Sequence, residues 1–236
     1  MEGGEDDYGF SLTTFSPSGK LVQIEYALNA ISAGSTSVGI KAKDGIVLAV
    51  EKSLPPMYIS ESIQKINHLC DSVGMVSSGM GPDARVLVKK GRKEGQKYWL
   101  EYQEDINCSM MTRKLAYLMQ EYTQKGGVRP FGVSVLVAGF DGKTPRLYQV
   151  DPSGSFWTWK ATALGKNMTS VKTFLEKRYH DDIELEDAIH TAILALKEGF
   201  EGEMNEHNIE IGLCTKENGF KVLTPSEIRD YLDIAN

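Results

Sequence analysis

Apolar residues recur along the chain with two different periods, and the switches between them mark out the elements. Leu21, Ile24, Leu28 and Ile31 follow helical spacing. With Ser16 as a cap and Pro17 at the first helical position, they predict a helix over 17–33 that ends at Gly34. β-rich runs follow at 37–42 and 46–50, joined through Lys43-Asp44-Gly45, a strong hairpin signal. Further short strands are predicted at 63–66 and 73–78. Two long helices come next, 82–103 and 109–124, the second with Ser109 as its cap. A second β block spans 133–140, 146–150 and 156–163, with Asp141-Gly142 and Ser153-Gly154 at its turns. Helices over 170–179 and 185–200 precede a hairpin of 209–214 with 220–223 across Asn218-Gly219. Thr224-Pro225-Ser226-Glu227 is a capping box that opens a short final helix.

Hairpins, two helices, hairpins, two helices, a hairpin and a helix do not make a βαβ alternation, which argues against a doubly wound parallel sheet. Two antiparallel sheets packed together with helix pairs outside both would bury every apolar face. No linker-like stretch interrupts the pattern, so the expectation is a single α+β domain over 1–236, in which 1–7 read as a mobile acidic tail.

Composition narrows the function classes. A formal net charge of −6 argues against nucleic-acid binding, and no apolar run approaches the roughly 20 residues that cross a bilayer. The acidic start Met1–Asp7 has no apolar core, which argues against a secretory signal. Cys70, Cys108 and Cys214 are odd in number and far apart, as expected of reduced thiols in the cytoplasm or nucleus.

Several motifs resemble chemistry. Gly79-Met80-Gly81-Pro82-Asp83-Ala84 follows a predicted strand and opens a helix, which fits either a dinucleotide site or a tight strand-to-helix turn. The second reading needs no parallel strand, and none is predicted. Gly142-Lys143-Thr144 lacks the leading glycine of a P-loop, since residue 137 is Val137, and Pro145 blocks the helix. Ser62-Ile63-Gln64-Lys65 fits SxxK without its partner motifs. His68, His180, His190 and His207 show no metal-ligand spacing, and no cofactor is implied. Arg85, Lys89, Arg92, Lys93 and Lys97 share a helical face, either solvated or a docking surface for an acidic partner. Gly91 and Gly95 on that helix cost roughly 1 kcal/mol each against Ala. Either another backbone comes close there or the helix tolerates them.

The run Tyr8-Gly9-Phe10-Ser11-Leu12-Thr13-Thr14-Phe15-Ser16-Pro17-Ser18-Gly19-Lys20-Leu21-Val22-Gln23-Ile24-Glu25-Tyr26-Ala27 resembles the signature of 20S proteasome α subunits. The likeness continues through Ser78-Gly79-Met80-Gly81-Pro82-Asp83, Arg129-Pro130-Phe131-Gly132 and Leu185-Glu186-Asp187-Ala188, and so covers nearly the whole chain. It implies the N-terminal-nucleophile hydrolase fold, a four-layer αββα sandwich, in which 1–16 is tail and gate segment, 17–33 the α-subunit helix and 35–236 the sandwich. It implies a non-catalytic ring-building and gating subunit that acts in ubiquitin-dependent degradation. Its partners would be other α subunits in a seven-membered ring, the β subunits of the adjacent ring, and regulatory particles.

In the related β subunits a freed threonine attacks and its own α-amine, of reference pKa about 8, is the base. The matching boundary here is Gly34-Ser35, with Ser35 for the threonine, Glu51 for an aspartate and Lys65 for the lysine. Glu places its charge about 1 Å further out than Asp, a displacement that costs up to about 100-fold in rate. Freeing Ser35 would also discard helix 17–33, which α subunits retain. The alternative is an autonomous amidohydrolase processed at Ser35. By the same resemblance, Gly34, Lys65 and Met80 would form a pocket between neighbouring subunits in which Lys65 pairs with the carboxylate of an activator tail. An ordinary ion pair, for example with Glu51, is the other reading of Lys65. Tyr8, Pro17 and Tyr26 match the family's gate cluster, but its Tyr-Asp-Arg run is Tyr8-Gly9-Phe10 here, so both charged members are missing.

Overall fold

The computed structural model describes residues 15–53, 55 and 57–235. Its first helix, α1, is Val22–Ser32 and starts later than the 17–33 expected. Gly19 adopts a φ of +77°, and its N–H donates to the Ser16 carbonyl at 2.8 Å. Ser16 Oγ accepts the Lys20 N–H instead of capping a helix. Pro17 thus initiates a turn, a role for which its fixed φ suits it as well as a helix start.

β1 (Ser37–Lys41) and β2 (Gly45–Glu51) form the expected hairpin, Val38 opposite Ala49. β3 (Ile66–Cys70) begins three residues later than predicted, because a 3-10 turn at Ser60–Ser62 occupies the chain before it. β4 (Val73–Gly79) leads directly into α2 (Gly81–Tyr102), which is followed by α3 (Cys108–Gln124). Asn107 caps α3, accepting the Met110 N–H at 2.9 Å; Ser109, the expected cap, lies inside the helix.

β5 (Val133–Asp141) and β6 (Thr144–Val150) pair as predicted. The single strand expected at 156–163 is two: β7 (Phe156–Thr158) pairs with β6 and β8 (Ala161–Leu164) pairs with β1. The chain changes sheets at Trp159-Lys160, where Trp159 Nε1 donates to Gln149 Oε1. α4 (Met168–Arg178), α5 (Leu185–Lys197), the hairpin β9 (Ile209–Thr215) with β10 (Gly219–Val222), and α6 (Pro225–Ala235) complete the order.

Two five-stranded antiparallel sheets result, β10-β9-β2-β1-β8 and β3-β4-β5-β6-β7. Ile46, Leu48 and Val50 of β2 point between the sheets, against Val76, Leu136 and Leu147. Val47 and Ala49 point outward, beneath Ile189 and Ile193 of α5. A strand buried on both faces carries a continuous apolar run instead of an alternating one. Leu87, Met111 and Leu115 cover the outside of the second sheet. The layers are α4–α6, sheet, sheet, α2–α3, the four-layer αββα sandwich. The α2 glycines mark a close approach. A Cβ on Gly91 would lie 3.0 Å from Leu69 Cδ2, and one on Gly95 3.4 Å from the Leu69 carbonyl oxygen. α1 stands apart from the layers and lies against β4 and β5.

Candidate functional site

The residues singled out from the sequence converge where β1 begins, β2 ends, β3 is about to begin and β4 turns into α2. Ser35 is half-buried, and its Oγ accepts from Lys65 Nζ at 3.2 Å. The Ser35 carbonyl accepts from Ser78 Oγ at 2.8 Å, and Ser78 in turn shares a hydrogen with Ser37. These contacts tie the start of β1 to the end of β4, across the two sheets.

Glu51 is buried at the end of β2 and pairs with Lys166 Nζ at 3.2 Å. Among the described residues, Glu51 pairs with Lys166 and Lys65 Nζ meets the Ser35 hydroxyl. Burial lowers the Lys65 pKa from its ordinary 10.5, while the charges of Glu210 and Glu51 oppose that and Lys52 adds to it. An ammonium has three donors, and Ser35 takes one of them.

Gly34 sits where nothing larger fits. Its N–H donates to the Ile31 carbonyl and its own carbonyl accepts from the Lys166 N–H. A Cβ there would lie 2.4 Å from the Gly79 nitrogen. Met80, which follows Gly79, is 42% exposed and its N–H donates to the Gly132 carbonyl. The structure thus brings Gly34, Ser35, Lys65 and the Gly79-Met80 turn together. Pro17 and Tyr26 are both exposed, Pro17 in the turn before α1 and Tyr26 on α1 itself at 55%. Tyr8, Gly9 and Phe10 lie outside the described residues.

Glu210 was not singled out from the sequence. It stands on β9 between Ile209 and Ile211, and its carboxylate accepts the N–H groups of Lys65 at 2.8 Å and Ile66 at 2.9 Å. Its other oxygen meets Lys52 Nζ at 3.1 Å. A charged residue within a strand otherwise buried was the available signal, since such a group needs a partner.

The Gly79–Ala84 run is a tight turn. β4 is antiparallel to both its neighbours, so no βαβ unit exists to hold a dinucleotide. Asp83 faces inward instead, with paired hydrogen bonds from Arg129 and a third from the Gly132 N–H. Ser62 donates to the Ile59 carbonyl and makes no dyad with Lys65. A cavity of about 300 Å³ beside Glu210 is lined by Lys52, Ser60, His68, Arg92 and His207. Among the described residues, no three His, Cys, Asp or Glu side chains are grouped to hold a metal, and no helix is long and apolar enough to cross a membrane.

Chemically, Ser35 has a cation at its hydroxyl but no amine of its own. While the Gly34–Ser35 bond stands, the Ser35 nitrogen is an amide without basicity. α1, anchored by the buried Ala27 and Ile31, stands directly upstream of that bond. Ser35 therefore has a cation beside its hydroxyl and no base of its own to take its proton.

Two family models match the chain. One is described as the proteasome subunit, over residues 31–214, and the other as the N-terminal signature of the A type of that subunit, over 8–30. The chain is 62% identical to the proteasome alpha type-2-A subunit of Arabidopsis thaliana, over 97% of this chain and 98% of that protein. It is 60% identical to the proteasome alpha type-2 subunit of Dictyostelium discoideum over the same shares. With that of Drosophila melanogaster the identity is 59%, over 95% and 96%.

Proposed function

The chain belongs to the proteasome-subunit family as an α-type, non-catalytic member of the 20S core, and from that premise we propose how its site serves the assembled particle. It assembles with other proteasome subunits. Our reading is that it takes one place in a seven-membered α ring, stacks on β subunits and receives regulatory particles, in the cytoplasm and nucleus. We read residues 1–236 as one α-type domain, a reading supported by the shared interior of the two sheets.

The pocket of Gly34, Lys65 and Met80 serves, in this reading, to receive the terminal carboxylate of a regulator's tail. One observation carries it: Glu51 is already neutralised by Lys166, while among the described residues the Lys65 ammonium donates to the Ser35 hydroxyl and keeps donors for an outside anion. Ser35 and Glu51 are then remains of a nucleophile site. Tyr8, Pro17 and Tyr26 are assigned to the axial gate that controls substrate admission, with Gly9 and Phe10 supplying neither charge of the usual run.

The test is Lys65→Ala in the assembled 20S core. Stimulation by activators that dock through this pocket should be abolished; unchanged stimulation and binding there would sink the reading. Intact mass of the chain from the same particles checks the scaffold role, since a chain starting at Ser35 would contradict it.

A further inference from the structure

Lys65 owes its place to a carboxylate on the other sheet. β3 begins at Ile66, paired with Val76, so the Lys65 N–H has no strand partner. Glu210 supplies one, and takes the Ile66 N–H with the same oxygen. Its second oxygen holds Lys52, which is itself buried and also donates to the Ser60 carbonyl at 2.9 Å. One buried ion pair thus fixes both ends of the segment 60–66.

We infer that Glu210, braced by Lys52, is the positioning residue of the Lys65 pocket, holding the 60–66 segment so that the ammonium faces Ser35 and can receive a carboxylate. This rests on the reading of Lys65 as a docking lysine. Burial lowers the Lys65 pKa; against that, Glu210 on β9 and Glu51 on β2 favour its charged form, Lys52 just beyond β2 opposes it, and Lys166 already engages Glu51.

The experiment uses assembled 20S particles and a synthetic peptide that bears a photo-crosslinker and a free C-terminal carboxylate, with its C-terminal amide as control. Labelling of this chain is read by mass. Lys65→Ala should reduce carboxylate-dependent labelling by about tenfold or more. Glu210→Gln, which keeps an acceptor but removes the charge, should reduce it several-fold and move its alkaline loss to lower pH. A merely structural residue would leave that pH midpoint in place. If Lys65→Ala has no effect, the docking reading itself fails. If Lys65→Ala acts but Glu210→Gln changes neither labelling nor midpoint, docking stands and the positioning role is overturned. Should Glu210→Gln fail to assemble, Glu210→Gln with Lys52→Met, which leaves no buried charge unpaired, repeats the test. Failure of both in particles that accept Lys65→Ala would assign Glu210 to folding alone and overturn the inference.

Discussion

Gly34 and Gly79 meet backbone to backbone: a Cβ on Gly34 would sit 2.4 Å from the Gly79 nitrogen and 3.1 Å from the Ile31 carbonyl oxygen. The end of α1 is thereby seated on the turn that leads into α2. Both neighbours are main chain, so neither can give way as a side chain would. Gly34→Ala is expected to cost about 1–3 kcal/mol, the usual range for overpacking. Hydrogen exchange should quicken in α1 while the β2 and β5 amides stay protected. Unchanged exchange in α1 would count against this seating.

The final helix carries an acid-sensitive cap. Glu227 accepts from Lys221, from the Thr224 N–H at 2.8 Å and from Thr224 Oγ1 at 2.9 Å. Lys221 first, and then Thr224, lower its pKa from 4.5 to about 2. A carboxylate whose pKa is depressed on folding contributes stability above its unfolded value and loses it as pH falls through the folded one. Protection of the amides at 224–230 should therefore decline between pH 4.5 and about 2, with β2 unaffected over the same interval. Glu227→Gln, which keeps an acceptor but removes the charge at the helix N-terminus, should weaken the cap at neutral pH by about 0.3–1 kcal/mol. A flat profile through that window would mean that the cap does not hold the helix.

Thiol chemistry offers a third check. Cys108 is fully buried and donates towards the Val137 and Arg146 carbonyls; burial pushes its pKa well up. Burial likewise pushes Cys214 up to about 12, which leaves a thiolate fraction of about 10⁻⁴ at pH 8. Burial raises the Cys70 pKa too, but Cys70 is only half-buried and so is open to reagent. Iodoacetamide at pH 8 should label Cys70 alone in the folded chain, and Cys108 and Cys214 only after denaturant. Comparable native labelling of all three would contradict the burial assigned to them.

Much of this architecture was legible in the sequence because its signals are local. Asp44-Gly45 and Asn218-Gly219 turn their hairpins as expected, and Thr224 with Glu227 forms the box that the spacing implied. Where structure and expectation part, the alternatives are equally good in local terms. Pro17 suits a helix start or a turn, and the turn with Gly19 prevailed. Residues 156–163 read as one strand, yet its halves pair with different sheets, a choice set by β1 and β6. Ser35, Glu51 and Lys65 were found through resemblance, and they do lie together. Their partners Lys166 and Glu210 were not, because each lies more than a hundred residues in sequence from the group it serves.

Lys166 neutralises Glu51, one of the two carboxylates whose charge acts on Lys65. Its N–H donates to the Gly34 carbonyl at 3.0 Å and its ammonium reaches Glu51 at 3.2 Å. Lys166→Ala keeps the first contact and removes the second, leaving Glu51, only 8% exposed at its side chain, without that partner while its charge still acts on Lys65. Breaking a fully buried pair costs about 3–5 kcal/mol; with the Lys166 side chain one-third exposed, about 1–3 is expected. Glu51→Gln should recover part of that loss, so the two single variants and the double will not add. Function should change in step. With Glu51 unpaired, Lys65 is drawn away from Ser35, and carboxylate-dependent labelling of the pocket should fall in Lys166→Ala and return in the double variant. Additive stabilities, together with labelling that ignores Lys166, would mean that Glu51 and Lys65 do not sense one another.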